Sequence, residues 1–338
     1  MARRTKIRFV VVVLTVGFII GVGPRPRVTQ PLVGLAPPIL AEGSVARPTA
    51  PTALPAWLAA QESAAGVTDT AVAKRIVFAG DSVRTAYSIV YLHGFSATRQ
   101  ETAPLSEQVA RALGANLFET RLTGHGLPGD SLGTVTAGDW LDDAVEAMDI
   151  GRTLGDSVIV IGTSTGGTLA AWLATLPSGA RTGLHTVVLI APNFGPVDRA
   201  ASVLTLPWAS VLLPRLIPFR ESTSGNEGRR RFWTTKYPTA ALFPMQALVE
   251  DTRARTVSGY STPTLTFYNA NDQVVDASRT LAWLDRVKAL GTVREERVLV
   301  TPAENEDGHV LAGRITAPSQ TNGLAVRIAE FVRHTTVR

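Results

Sequence analysis

The sequence predicts an α/β protein whose mostly parallel, doubly wound sheet carries helices on both faces. Strand-like and helix-like stretches alternate through the body of the chain, as they do in such sheets. The 338 residues suffice for one large domain with additional segments at its start. Near the middle, a glycine-rich turn joins a buried strand to a helix, and this turn carries the first candidate functional residue.

The chain begins with a basic segment, which is followed by an apolar segment at residues 9–22. Positive residues before a short apolar stretch are typical of a targeting segment outside the fold. Residues 1–23 are therefore predicted to be a signal peptide or signal anchor, with the folded domain exported. Pro24 follows the small residues where a peptidase would cut, which favours an uncleaved membrane anchor. A cleaved leader, giving a secreted or periplasmic protein, is the alternative.

Residues 24–55 are rich in proline and alanine and lack periodicity, which predicts a semi-extended linker. The folded domain is predicted over residues 56–338, with an inserted cap at about residues 194–260. Strands are predicted at residues 75–78, 87–92, 115–118, 157–161, 186–190, 263–268 and 297–300. Helices are predicted at residues 103–113, 137–154, 277–290 and 322–333.

Ser164 is the leading candidate nucleophile. It is the centre of the motif Gly162-Thr163-Ser164-Thr165-Gly166, between the strand at 157–161 and a helix-forming stretch. Strand, sharp turn and helix are the setting of a nucleophile elbow, which lifts the serine hydroxyl to the top of a sheet. The next N–H, on Thr165, then lies at a helix N-terminus, where it can face a developing oxyanion. The alternative is a glycine-rich turn with an incidental serine.

A candidate acid and a candidate base follow the serine in the chain. Asp272 comes after the strand at 263–268, at the end of the sheet where α/β proteins keep their catalytic groups. Asp276 is the rival acid, but it is expected to cap the helix that starts near Ala277. His309 ends a loop after the last strand, which gives the order serine, aspartate, histidine. The alternatives are a turn aspartate and a surface histidine.

A second oxyanion donor is predicted after the strand at 87–92. His93-Gly94-Phe95 follows this strand directly, and Gly94 permits a tight turn that aims the N–H of Phe95. His93 is expected to be structural in this loop. The alternative is an ordinary transition from strand to loop.

With these residues the chain resembles the α/β-hydrolase superfamily, and within it bacterial carboxylesterases, monoacylglycerol lipases and lysophospholipases. The resemblance covers roughly residue 73 to the C-terminus and includes the loop at residues 121–126. It implies an α/β-hydrolase fold and a carboxylic-ester hydrolase. It also implies Ser164 as nucleophile, His309 as general base, Asp272 as orienting acid, and Phe95 and Thr165 as oxyanion donors. Arg121 and Thr123 stand where the family often has Asp and Arg.

The segment at residues 203–219 is apolar but interrupted by prolines, which predicts an inserted cap that lines an acyl pocket. A helical insertion without a substrate role is the alternative.

The substrates expected are short or medium acyl esters, monoacylglycerols or lysophospholipids. An aminopeptidase-like amide hydrolase, with Glu221, Glu227 or Glu250 capturing an amine, and a non-catalytic scaffold are the competing functions. Residues 229–231, three arginines, are predicted to be a solvated helix face, with anionic lipid head groups as the alternative contact.

Composition excludes several kinds of site. The formal net charge is +5, but four basic residues precede the apolar leader and leave +1 for the rest. A nearly neutral body argues against a nucleic-acid partner. The chain has no cysteine, which excludes disulfides, thiolate metal sites and a cysteine nucleophile. Histidines and carboxylates lack metal-ligand spacing, so we expect neither a metal nor a cofactor. The partners expected are a small-molecule or lipid ester and, through the N-terminal segment, a membrane.

Overall fold

A computed structural model describes residues 21, 23–28, 46–302, 304–305 and 307–335. Its strands are β1 Arg75–Val77, β2 Thr85–Leu92, β3 Asn116–Glu119, β4 Gly155–Thr163, β5 Leu184–Ile190, β6 Phe219–Glu221, β7 Lys236–Pro238, β8 Thr264–Tyr268 and β9 Glu295–Leu299. Its α-helices are α1 Leu54–Ala64, α2 Leu105–Leu113, α3 Ala137–Leu154, α4 Thr165–Ala174, α5 Ala209–Leu216, α6 Glu227–Phe232, α7 Leu242–Ala254, α8 Ala277–Lys288 and α9 Pro318–Arg333.

Seven of the strands form one sheet in the order β1-β3-β2-β4-β5-β8-β9. Neighbouring strands are parallel except for β1, which is antiparallel to β3. The inner strand β5 is buried along its whole length, as expected for a β-branched strand covered on both faces. The seven predicted strands are confirmed, each with ends within two residues of those observed.

Helices pack on both faces of the sheet, and each layer has its own apolar core. One core includes Trp140 of α3 and Trp283 of α8, which are among the largest fully buried side chains. The other includes Phe331 of α9 and Leu105 of α2. Burial of such a side chain stabilises the fold by about 1.5–3 kcal/mol. The predicted doubly wound architecture is therefore confirmed.

The chain between β5 and β8 contains the insertion predicted as a cap. Here β6 and β7 form a small antiparallel ribbon, and α6 lies in the sequence between these two strands. The last helix of the predicted range, α7, packs instead against α4, with Ala247 and Leu248 buried in the main core. Within the predicted range, α7 therefore belongs to the main domain, and the cap itself consists of the residues before α7.

The apolar segment at 203–219 was predicted to line a pocket, but most of its large side chains are exposed. They are Val203, Leu206, Leu212, Leu216, Ile217 and Phe219. Only a small cluster forms beneath them, where Leu204 and Ala209 pack with Phe243 of α7. Much of the apolar surface of this segment therefore faces outward.

The domain begins with α1, which starts at the end of the predicted linker. Leu54, Trp57 and Leu58 of this helix are buried in the main core. Farther upstream, the carbonyl oxygen of Pro24 accepts a hydrogen bond from the N–H of Trp208 at 2.9 Å. The predicted leader lies outside the described residues except for residues 21 and 23. In the part of the chain that is described, no helix has the length and hydropathy needed to cross a membrane.

Candidate active site

Ser164 lies in a strained turn between β4 and α4. Its φ is 52° and its ψ is −117°, a backbone conformation that residues other than glycine rarely adopt. The turn packs so closely on β2 that a Cβ atom on Gly166 would lie 2.0 Å from the carbonyl oxygen of Leu92. A Cβ atom on Gly162 would lie 2.2 Å from the carbonyl oxygen of Gly166. The motif therefore needs glycine at both positions to hold the serine in this conformation.

The structure brings Ser164, Asp272 and His309 together, although they lie on three separate loops. The Ser164 hydroxyl donates to His309 Nε2 across 2.9 Å. His309 Nδ1–H donates to Asp272 Oδ2 across 2.8 Å. The other carboxylate oxygen of Asp272 accepts the N–H groups of Val274 and Val275, at 2.8 and 2.9 Å. These bonds fix the carboxylate, which in turn fixes the tautomer of the imidazole.

Asp276, the rival acid, has the capping role that the sequence predicts. Its Oδ1 accepts the N–H of Ser278 at 3.0 Å, in the first turn of α8. Because this carboxylate is committed to the helix end, Asp272 is the acid that contacts His309.

The environment of His309 favours its charged form. Burial disfavours the imidazolium, but the hydrogen bond and negative charge of Asp272 outweigh burial and raise the pKa of His309 above 6.5. Asp307 and Glu101 raise the pKa further. Asp307 lies in the loop that leads to His309, so this loop contributes to the shift.

The two predicted oxyanion donors border the serine. Thr165 is the first residue of α4, where the N–H has no acceptor within the helix. Phe95 follows β2, and in the described part of the chain neither its N–H nor that of Thr165 donates to a protein acceptor. Both N–H groups are therefore free to bind an oxygen atom of a substrate.

Two buried histidines hold residues 93–96 in place, a segment called the oxyanion loop here because it contains the predicted donor Phe95. His93 Nε2 accepts the N–H of Leu122 at 3.0 Å, so its Nδ1–H donates to the carbonyl oxygen of Gly94 at 2.9 Å. His125 Nε2 accepts the N–H of Ser96 at 3.0 Å. Burial lowers the pKa of His93 well below 6.5 and that of His125 to about 4. Both rings are neutral and structural, as the sequence predicts for His93.

The cap contacts both loops of the site. The N–H of Thr234 donates to the carbonyl oxygen of Ser96 at 2.7 Å, next to the oxyanion loop. Arg229 of α6 pairs with Asp307 Oδ2 at 2.6 Å, while Asp307 Oδ1 accepts the N–H of His309 at 3.0 Å. Arg229 is thus bound to the histidine loop, which the prediction of a solvated basic face did not anticipate.

Arg121, one of the departures from the family pattern, has a buried partner on α1. It forms two hydrogen bonds with Glu62, at 2.7 and 2.9 Å, and a third with the carbonyl oxygen of His125 at 3.1 Å. The first helix of the domain is thereby linked to the loop at residues 121–126. Neither Glu62 nor Glu101 was predicted near the site, because nothing in the local sequence distinguishes them from surface acids.

The carboxylates considered for amine binding have other surroundings. Glu221 and Glu227 are exposed. Glu250 pairs with Arg253 at 2.7 Å and accepts the side-chain amide of Gln246 at 2.9 Å. A free amino group would have to displace these partners or bind at the surface.

Comparison with known proteins identifies the family. The model of the alpha/beta hydrolase family matches residues 89–331, which include the serine, the aspartate and the histidine. The chain belongs to the α/β hydrolase family. A thermostable monoacylglycerol lipase of Bacillus sp. (strain H-257) is 28% identical over 188 residues, which are 55% of this chain and 71% of that protein. Such a relative supports carboxylic-ester hydrolysis as the general reaction of this hydrolase.

Solved structures of lipolytic enzymes share the fold. One, of a metagenome-derived lipolytic enzyme, has a TM-score of 0.61 and 18% identity, over 78% of this chain and 98% of that one. A soluble variant of the monoglyceride lipase of Saccharomyces cerevisiae has a TM-score of 0.58 and 11% identity, over 79% and 92%. These likenesses confirm the predicted α/β-hydrolase fold.

Proposed function

We propose that Ser164, His309 and Asp272 are the catalytic triad of an esterase that cleaves single-chain acyl esters through an acyl-enzyme. The observation that carries this proposal is the continuous chain of hydrogen bonds from the serine hydroxyl through both imidazole nitrogens to the carboxylate. A nucleophile activated by a base, which a third group orients, is the arrangement that acyl transfer needs.

In the proposed mechanism, Ser164 Oγ attacks the ester carbonyl carbon while His309 Nε2 takes its proton. Asp272 holds the imidazole and stabilises the imidazolium. The N–H groups of Phe95 and Thr165 bind the oxyanion, and each contributes about 2.7–4 kcal/mol to stabilisation of the transition state. His309 then protonates the departing alcohol, and water, activated by the same imidazole, releases the acid and restores the serine.

The proposed substrates are esters of one acyl chain, from short and medium acyl esters to monoacylglycerols and lysophospholipids. The Bacillus relative supports this class because it is a monoacylglycerol lipase. The apolar cap surface that includes Leu212 and Leu216 also suits a lipid substrate. Amide hydrolysis has weaker support, because Glu221 and Glu227 are exposed and Glu250 is paired.

We also propose that the domain is exported, either held at the membrane by residues 1–23 or released after cleavage. The basic and then apolar composition of this segment is the support. An exported lipid esterase would meet its substrates at the membrane surface, which the exposed apolar side chains of the cap would suit.

A substrate series tests the proposed class. The full chain, purified in mild detergent, would be assayed with p-nitrophenyl esters from acetate to palmitate, with a monoacylglycerol, a lysophospholipid and an amino-acid p-nitroanilide. We expect ester hydrolysis with an optimum at one acyl length, hydrolysis of the monoacylglycerol, and no release from the anilide. Preference for the anilide would replace the esterase by the aminopeptidase-like function. A folded protein that cleaves none of them would support the scaffold function.

Replacement of Asp272 with asparagine is expected to lower kcat by about 10⁴-fold with little change in KM. The amide keeps the volume of the carboxylate but presents an N–H group to His309, which favours the wrong tautomer. Steady-state kinetics on a p-nitrophenyl ester would measure the loss. Asp276→Asn, at the helix cap, is the matched control and should stay within about 3-fold of the wild type, since its effect is on local stability. If the two variants lost activity equally, the assignment of Asp272 as the orienting acid would be wrong.

A further inference from the structure

Glu101 is a buried carboxylate next to the oxyanion loop. It lies between β2 and α2 and is 2% exposed. Its Oε2 accepts the N–H of Gly94 at 2.8 Å and the hydroxyl of Tyr91 at 3.1 Å. Gly94 directly precedes Phe95, whose N–H is a proposed oxyanion donor. Glu101 therefore contacts the backbone one residue before a proposed oxyanion donor.

Glu101 has no ion-pair partner among the described residues. In the described part of the chain, Lys, Arg and His side chains form no ion pair with Glu101, whereas Glu119, equally buried, pairs with Arg75 and Arg99. Burial raises the pKa of Glu101 to about 7, although the N–H of Gly94, the hydroxyl of Tyr91 and the charges of His309 and Arg229 lower it. Buried carboxylates without a cation are costly, and they concentrate at functional sites.

Glu101 and the nucleophile both pack closely against Gly94. A Cβ atom on this glycine would lie 2.7 Å from Glu101 Oε1 and 3.1 Å from Ser164 Cβ. The loop backbone thus packs against both the carboxylate and the elbow, with no room for a side chain at residue 94. A shift of the carboxylate would let the loop move relative to the serine.

Gly94 is held at both of its backbone polar groups, so the two peptide planes that meet at its Cα are both fixed. Glu101 holds the N–H of Gly94, while the carbonyl oxygen of Gly94 accepts His93 Nδ1–H at 2.9 Å and the N–H of Ala97 at 3.2 Å. The Phe95 N–H belongs to the same peptide plane as this carbonyl. Its direction is therefore set by the groups that hold Gly94.

We propose that Glu101 is a positioning residue that aims the N–H of Phe95 at the developing oxyanion by accepting the N–H of Gly94. This inference rests on the proposed function, since it concerns the transition state of the same reaction. A misplacement of a donor on the order of 1 Å costs about 100-fold in rate, which gives the expected size of the effect.

Two conservative variants separate the acceptor from the charge. Glu101→Asp keeps the charge but is one methylene shorter, so its carboxylate withdraws from Gly94. Glu101→Gln keeps the reach and an acceptor oxygen but loses the charge. We expect kcat on a p-nitrophenyl ester to fall by about 30- to 100-fold in Glu101→Asp, with KM within about 2-fold, and Glu101→Gln to stay within about 3-fold of the wild type. Glu330→Asp and Glu330→Gln, on an exposed part of α9, are the matched controls.

A trifluoromethyl ketone provides the readout that a purely structural role would not change. Its adduct with the serine carries a negative oxygen at the oxyanion position, so its affinity should fall in Glu101→Asp by the same factor as kcat/KM. Equal kcat values in wild type and Glu101→Asp, or a larger loss in Glu101→Gln than in Glu101→Asp, would overturn the proposal. If the wild type itself hydrolysed no ester, the proposed function would be refuted instead.

Discussion

Replacement of Ser164 with alanine is expected to lower kcat on a p-nitrophenyl ester by at least about 10⁵-fold and leave the fold intact. The variant removes the proposed nucleophile, the hydroxyl oxygen of Ser164, but keeps both proposed oxyanion N–H groups. Alanine also fits the turn, because the strain at φ 52° is already present with serine. The rate would be measured with the full chain in mild detergent, and circular dichroism would report the fold.

A fluorophosphonate probe gives an independent measure of the same residue. The wild type should be labelled covalently, and Ser164→Ala should not. Ser178→Ala, an exposed serine after α4, is the control and should be labelled like the wild type. Labelling or ester hydrolysis that persists in Ser164→Ala would remove the nucleophile from this elbow. Absence of labelling in a folded wild type would leave the scaffold function.

Replacement of His309 with alanine is expected to cause a loss of similar size, on the order of 10⁵- to 10⁶-fold in kcat. Without the imidazole, no other described side chain lies within hydrogen-bonding distance of the Ser164 hydroxyl to accept its proton. His334→Ala, at an exposed site beyond α9, is the control and should keep full activity. Activity of His309→Ala near the wild-type level would move the general base to another residue.

The pH dependence of the wild type tests the same base. His309 must be neutral to accept the serine proton, and its pKa is raised above 6.5. We therefore expect kcat/KM to be fully developed above this pKa and to fall tenfold per pH unit below it. In His309→Ala this acid limb should disappear from the residual rate. An acid limb that persists unchanged in the variant would report a different group.

The strands and their ends could be predicted because their signals are local. A β-branched run such as 157–161 must be buried on both faces, and glycine or polar residues end it. The helix at Ala137–Leu154 has the predicted ends, and the structure shows that Thr136 and Asp139 form a capping box at its start, which is also a local signal. The choice of Asp272 over Asp276 was also local, because the first turn of α8 needs a cap.

The contacts of the cap could not be predicted, because they join segments that are far apart in the sequence. The apolar run at 203–219 fits an enclosed pocket and an exposed surface equally well, and only packing shows that Leu212 and Leu216 face outward. The pairing of Arg229 with Asp307 likewise depends on where the cap meets the histidine loop.

The sequence by itself determined the fold class, the strained elbow at Ser164 and the order of serine, aspartate and histidine. These depend on residue types in short windows, such as glycines where a Cβ atom would clash. Only the tertiary structure decided that Glu101 lies against Gly94 as a carboxylate without an ion-pair partner among the described residues. The physical reason is that burial, and with it the cost and the pKa of a charge, arises from packing between distant segments.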